Sequence, residues 1–185
     1  MKIALKEAFE TAALTLGSAV LFAGFFHFNG WLFASLSYAE GVNWVFLPAG
    51  FRIVLVLILG LPGATGIMLG TWYLDQGSLD SQPWLVLLTG VVSGFTPFAV
   101  MKVLAKGQQT ARLLQGITTQ SLLNFTLIFA AASAVTHQLL WLVMDRADVN
   151  IWVDVWPMFI GDAIGSLLML YAFKLLLSQM KIKAL

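Results

Sequence analysis

Residues 11–34 contain no aspartate, glutamate, lysine or arginine, and the same is true of 84–101 and 121–144. A fourth stretch, 151–177, carries only Asp154, Asp162 and Lys174. A helix rising about 1.5 Å per residue needs about 20 residues to cross the ~30 Å hydrocarbon core of a bilayer. In water, four such stretches would leave apolar side chains exposed along their length. In lipid, helices satisfy their own backbone groups and leave those side chains facing acyl chains. The pattern therefore confines the chain to an all-α, polytopic integral membrane bundle. Composition agrees: 59% of residues are hydrophobic and 10% charged, where soluble domains carry about 25% charged residues. Almost nothing in 185 residues is left for a soluble catalytic domain, so residues 1–185 are read as one membrane domain.

Cysteine is absent, which excludes disulfides, thiolate metal sites and thiol nucleophiles. Glu7 and Glu10 precede the first apolar run, which is long and lacks a small-residue cleavage pattern. The N-terminus is therefore read as a retained anchor rather than a signal peptide.

The stretch 42–74 contains Pro48, Pro62 and several glycines, and forms either one bent span or two short ones. Charge placement separates these readings, because lysine and arginine concentrate on the cytoplasmic side. Lys2 and Lys6 place the N-terminus inside. Residues 102–116 carry Lys102, Lys106 and Arg112, and the C-terminal part carries Lys174, Lys181 and Lys183; both belong in the cytoplasm. The connections 38–41 and 75–83 hold only acidic charges, Glu40 in one and Asp75 and Asp80 in the other, and suit the outside. Five spans would misplace the 102–116 loop. Six satisfy every connection: 11–34, 42–60, 63–74, 84–101, 121–144 and 151–177, with both termini cytoplasmic and a turn at Leu61-Pro62-Gly63. The basic loop then faces anionic lipid headgroups. Trp31, Trp44, Trp72, Trp84, Trp141, Trp152 and Trp156 all fall at or near the outer ends of these spans. They form an interfacial belt or line an aromatic outer vestibule.

Arg52 and Asp162 each lie about ten residues below the outer start of their spans, roughly 15 Å deep by the helical rise. Charges at that depth pair or line a polar cavity. The two are expected to face each other, either fixing helix register or binding a ligand. His27 and His137 also match in depth; two histidines on facing helices could hold a haem or pigment, and isolated polar packing is the alternative. The pairs Gly66/Gly70, Gly90/Gly94 and Gly161/Gly165 repeat at one helical turn, a spacing that lets helix backbones approach closely. No phosphate-binding glycine loop, paired His/Glu metal motif or Ser-His-Asp set is present. The chain is read as non-enzymatic, with no catalytic or metal site and no nucleic-acid partner.

Two stretches resemble the first type of membrane-associated sensor domain, the multi-span input modules found ahead of bacterial histidine kinases and cyclic-dinucleotide enzymes. One is Trp44-Val45-Phe46-Leu47-Pro48-Ala49-Gly50 with the glycines of 60–70 after it; the other is Gly161-Asp162-Ala163-Ile164-Gly165-Ser166-Leu167-Leu168. The resemblance implies a sensor-like protein of the bacterial inner membrane that binds a small ligand or a membrane partner. The family's usual C-terminal output domain does not follow within these residues. The implied protein is thus a freestanding sensor or a module recruited into a larger assembly. Two further readings stand beside it. One is an accessory subunit, or a homo-oligomer, packed through the small-residue pairs. The other is a transporter component whose cavity would be lined by Arg52, Asp162 and the irregular 60–70 backbone.

Overall fold

The computed structural model describes residues 2–39, 41–104, 119–146 and 150–182. Glu40, Lys106, Arg112 and Lys183, whose charges bear on the topology, lie outside them. Six α-helices fill the described chain: α1 (Lys2–Leu32), α2 (Leu47–Leu59), α3 (Leu61–Leu74), α4 (Pro83–Leu104), α5 (Thr119–Val143) and α6 (Ile151–Ile182). Four contain segments long and apolar enough to cross a membrane: Ala4–Leu32, Pro83–Leu104, Leu122–Val143 and Ile151–Leu175. Leu14, Val20, Val103 and Leu142, among other large apolar side chains, are exposed on the outer faces of these helices. This is a membrane protein whose exterior suits acyl chains.

The helices pack in a ring, α1–α3–α4–α5–α6–α2 and back to α1, with α2 displaced inward against α4 and α5. Their directions follow from the pairs that touch. Gly66 and Gly70 of α3 meet Thr15, Ser18, Ala19 and Phe22 of α1 in ascending order, so those helices are parallel. Gly90 and Gly94 of α4 meet α3 in descending order, at Trp72 and Met68 and then at Met68 and Ala64. Ser93 and Thr96 pair with His137 and Thr136 across the antiparallel α4–α5 contact. Successive helices therefore alternate in direction, and all seven tryptophans gather at the end of the bundle where α1 finishes and α2 begins.

The start of α2 differs from the expected span 42–60. Val42–Asn43 is extended and pairs antiparallel with Ser37–Ala39 in a two-stranded ribbon, and helix begins only at Leu47. Pro48 explains the delay. It lacks an N–H and disfavours helix in the residue before it, so a first turn suits it best. Asn29 of α1, itself buried, then accepts the Leu47 N–H at 2.9 Å and satisfies one of the open donors of that helix end. Inside the ring every residue from Pro48 to Leu57 is buried. Ala49, Ile53 and Val56 are fully so, packed with Ala64, Ile67 and Phe129 in the main apolar core.

The expected turn at Leu61-Pro62-Gly63 is also corrected. Reversal takes place at Gly60 alone (φ 63°, ψ −125°), which closes α2 by donating its N–H to Val56 O at 2.9 Å. Its carbonyl accepts the Ala64 N–H at 3.1 Å, and Pro62 sits in the first turn of α3. Gly63 lies against the Leu55 carbonyl, so the two helices leave the turn in contact. A Cβ on Gly60 would meet nothing within 4 Å, so its intolerance is purely conformational. Gly60→Ala is expected to destabilise by about 1–3 kcal/mol, read as a fall in the thermal midpoint of the detergent-solubilised protein. An unchanged midpoint would mean that the hairpin has another way to turn.

Candidate functional site

Arg52 and Asp162 come together across the α2–α6 contact, with Arg52 Nη2 3.7 Å from Asp162 Oδ1 and both side chains almost wholly buried. Arg52 is only five residues into α2, not the ten expected from sequence. The extended approach to α2 makes up the depth, because the chain at Asn43–Phe46 already lies beside Gly161 and Gly165 of α6. The Phe46 N–H donates to the Gly161 carbonyl at 3.1 Å.

Glycine is required at this crossing. A Cβ on Gly161 would strike the Asn43 carbonyl, one on Gly165 the Phe46 carbonyl, and one on Gly50 would lie 2.7 Å from Ser166 Cα. The stretches 44–50 and 161–168, more than a hundred residues apart in the chain, are thus packed directly on each other, with Asp162 between the two glycines of α6.

The guanidinium of Arg52 lies over two aromatic rings, 5.4 Å from the centroid of Phe46 and 5.5 Å from that of Phe129. Desolvated cation–π contacts contribute about 2 kcal/mol or more, which offsets part of the cost of burying the charge. Hydrogen bonding does not complete the offset. Arg52 Nε, Asp162 Oδ2, Ser133 Oγ, Ser166 Oγ and Gln138 Oε1 are buried with no hydrogen-bond partner among the described residues. A guanidinium carries five N–H donors, and the fold brings it one carboxylate, at a distance longer than a hydrogen bond.

Arg52 also lines a cavity of about 460 Å³ at the tryptophan end of the bundle. Phe22, Phe26, Phe46 and Trp141 supply aromatic walls; Thr71, Thr89, Ser93 and Gln82 supply hydroxyls and an amide. Asp75, Ser78 and Arg146 line it from the ends of α3 and α5 and the connection after α3. Arg146 stacks over Trp141 at 4.3 Å from the ring centroid. The Asp162 carboxylate and the 61–70 backbone are not part of the lining, contrary to the cavity expected for a transporter component. Residues 61–70 are regular helix, with Gly66, Gly70, Gly90 and Gly94 spent on the α1–α3 and α3–α4 contacts.

The two histidines are not brought to one site. His27 is exposed on α1 beside Phe26. His137 is buried and lines the cavity. Its Nδ1 lies 2.8 Å from the Ser133 carbonyl and its Nε2 3.0 Å from the Ser93 hydroxyl. A carbonyl only accepts, so Nδ1 donates, and in the neutral ring Nε2 accepts from Ser93. Nε2 thereby ties α5 to α4, while Nδ1 bonds within α5. Asn29, Ser93, Ser133 and Gln138 are not distinguished by the sequence motifs, although a polar side chain inside an apolar span is itself a signal. What sequence lacks is which of them turn toward the interior that holds Arg52.

Comparison of the chain with protein-family models, with curated proteins and with solved structures finds no match. Fold and site together define the class: an α-helical membrane bundle with a buried ion pair whose arginine lines a polar, aromatic-walled cavity.

Proposed function

We propose that this is a sensor-like module of a bacterial inner membrane that binds a small ligand from the outer side without transforming it. In this reading the chain has six spans and cytoplasmic termini, with α2 and α3 forming a short hairpin that α1, α4 and α6 shield from lipid. The observation that carries the proposal is the cavity at the tryptophan end with Arg52 buried in its floor. Pockets of about 300–1,000 Å³ with apolar walls and a few convergent polar groups are the usual form of small-molecule sites.

Lys6 and Lys102 lie at the other end of the helices that line the cavity, which by the positive-inside rule turns the cavity outward. Beneath Arg52, Ile53, Val56, Ile67 and Phe129 close the bundle with an apolar layer. A ligand seated above that layer is held rather than conducted, which favours a receptor over a transporter component. The likeness of the Trp44–Gly50 and Gly161–Leu168 stretches to sensor input domains supports the same reading.

The chain's lack of cysteine allows a direct test. Single cysteines at Ser78 or Thr89, both lining the cavity, are expected to react with a membrane-impermeant maleimide in spheroplasts. A cysteine at Lys6 should react only after permeabilisation. The opposite pattern would reverse the topology and remove the outward-facing receptor.

A further inference from the structure

We infer that the cavity takes a small organic carboxylate with an aromatic or similarly bulky apolar body, an assignment that rests on the cavity being a ligand site. The carboxylate sits on the Arg52 guanidinium, and the body lies against Phe22, Phe26, Phe46 and Trp141.

Arg52 is 2% exposed and lines the cavity, yet its Nε has no partner and its nearest carboxylate oxygen is 3.7 Å away. The fold therefore supplies fewer acceptors than the cation has donors. Phe46 and Phe129 cover the guanidinium and limit its freedom to turn. A rigid, planar fork of N–H donors suits the two coplanar oxygens of a carboxylate better than a single-point acceptor.

The sign and size of the ligand charge follow from the neighbours. Among the described residues the charged groups lining the cavity are Arg52, Arg146 and Asp75, and the one at its floor is a cation, which disfavours a cationic ligand there. Asp162, behind Arg52, already meets part of the positive charge and would repel a dianion such as phosphate more strongly than a monoanion. The four aromatic walls add a preference for a flat apolar body, since aromatic contacts are favourable beyond the area they bury.

The test uses the full chain in nanodiscs of zwitterionic lipid, so that no anionic headgroup competes. Binding of benzoate, phenylacetate and indole-3-acetate is compared by calorimetry with that of benzamide, benzylamine and inorganic phosphate. A charge-assisted contact predicts that the acids bind about 10- to 100-fold more tightly than the isosteric amide. In the neutralised variant Arg52→Met/Asp162→Leu that preference should vanish while weak, equal binding of acid and amide remains. Acid and amide binding equally to the unmodified protein overturns the carboxylate assignment and leaves the cavity a ligand site of another class. Tighter binding of phosphate or benzylamine overturns it too, as does an acid preference that survives in the double variant. Binding by none of the three acids also overturns it, and the cysteine-labelling pattern then decides separately whether the cavity faces outward.

Discussion

Asp162→Ala is expected to destabilise the bundle by about 3–5 kcal/mol, the cost of leaving a buried charge without its partner. Arginine stays protonated, so it cannot escape that cost by releasing a proton. With the carboxylate gone, Arg52 would keep its contacts with Phe46 and Phe129 but lose the only carboxylate near it among the described residues. For a chain of this length such a loss lowers the thermal midpoint by roughly 6–20 °C, readable in the intrinsic tryptophan fluorescence of the detergent-solubilised protein. Arg52→Met should cost a similar amount, because it strands the carboxylate in the same place.

The double variant Arg52→Met/Asp162→Leu should recover most of the loss. Buried ion pairs are often replaceable by apolar residues of similar volume without net destabilisation, and this pair is poorly hydrogen-bonded to begin with. Salt should change none of these values much, since a pair this buried is scarcely screened. If Asp162→Ala melts within a degree or two of the parent, the two groups do not depend on each other and the ion pair carries no structural weight.

The same pair shows how far sequence reasoning reaches. The apolar segments 84–101, 121–144 and 151–177 overlap the described helices Pro83–Leu104, Thr119–Val143 and Ile151–Ile182. Hydropathy starts α1 late, because Lys2, Lys6, Glu7 and Glu10 interrupt the apolar residues before Thr11, with Lys6 and Glu10 one turn apart and 3.7 Å from each other. Periodic hydropathy registers burial in lipid, not helix that continues into water.

Depth matching brings Arg52 to Asp162 although residues 42–46 are not the helix that the match assumes, because depth depends on where both chains enter the bundle and less on the path between. The matching of His27 with His137 has the same form and does not lead to a shared site. Depth is one coordinate; the angular position on the helix is the other, and an isolated polar residue in an apolar span does not reveal it. The Asn29 contact with Leu47 and the one-residue turn at Gly60 are illegible for a related reason. Each depends on backbone geometry that only the neighbouring helix defines.

Gly165→Ala and Gly24→Ala are the same chemical change in long apolar helices, and they are expected to shift stability in opposite directions. At Gly24 a Cβ meets nothing within 4 Å, so the substitution gains the intrinsic helical preference of alanine over glycine, about 0.5–1 kcal/mol in its favour. At Gly165 the Cβ would strike the Phe46 carbonyl and lie 2.7 Å from Leu47 N. These are backbone atoms, and they cannot rotate away as the end of a flexible side chain could. They are also tied down, by Phe46 N–H to the Gly161 carbonyl on one side and Leu47 N–H to Asn29 on the other. Relief requires moving the whole start of α2, at a cost of about 1–3 kcal/mol or more for overpacking. That movement would also carry Arg52, about one and a half turns further along α2, away from Asp162 and out of the cavity floor. Gly165→Ala should therefore lower the thermal midpoint and weaken any ligand held by Arg52, whereas Gly24→Ala should raise or preserve both. If the two variants melt alike, α2 and α6 cross with slack, and the close contact between the two glycine-bearing stretches is not what positions the site.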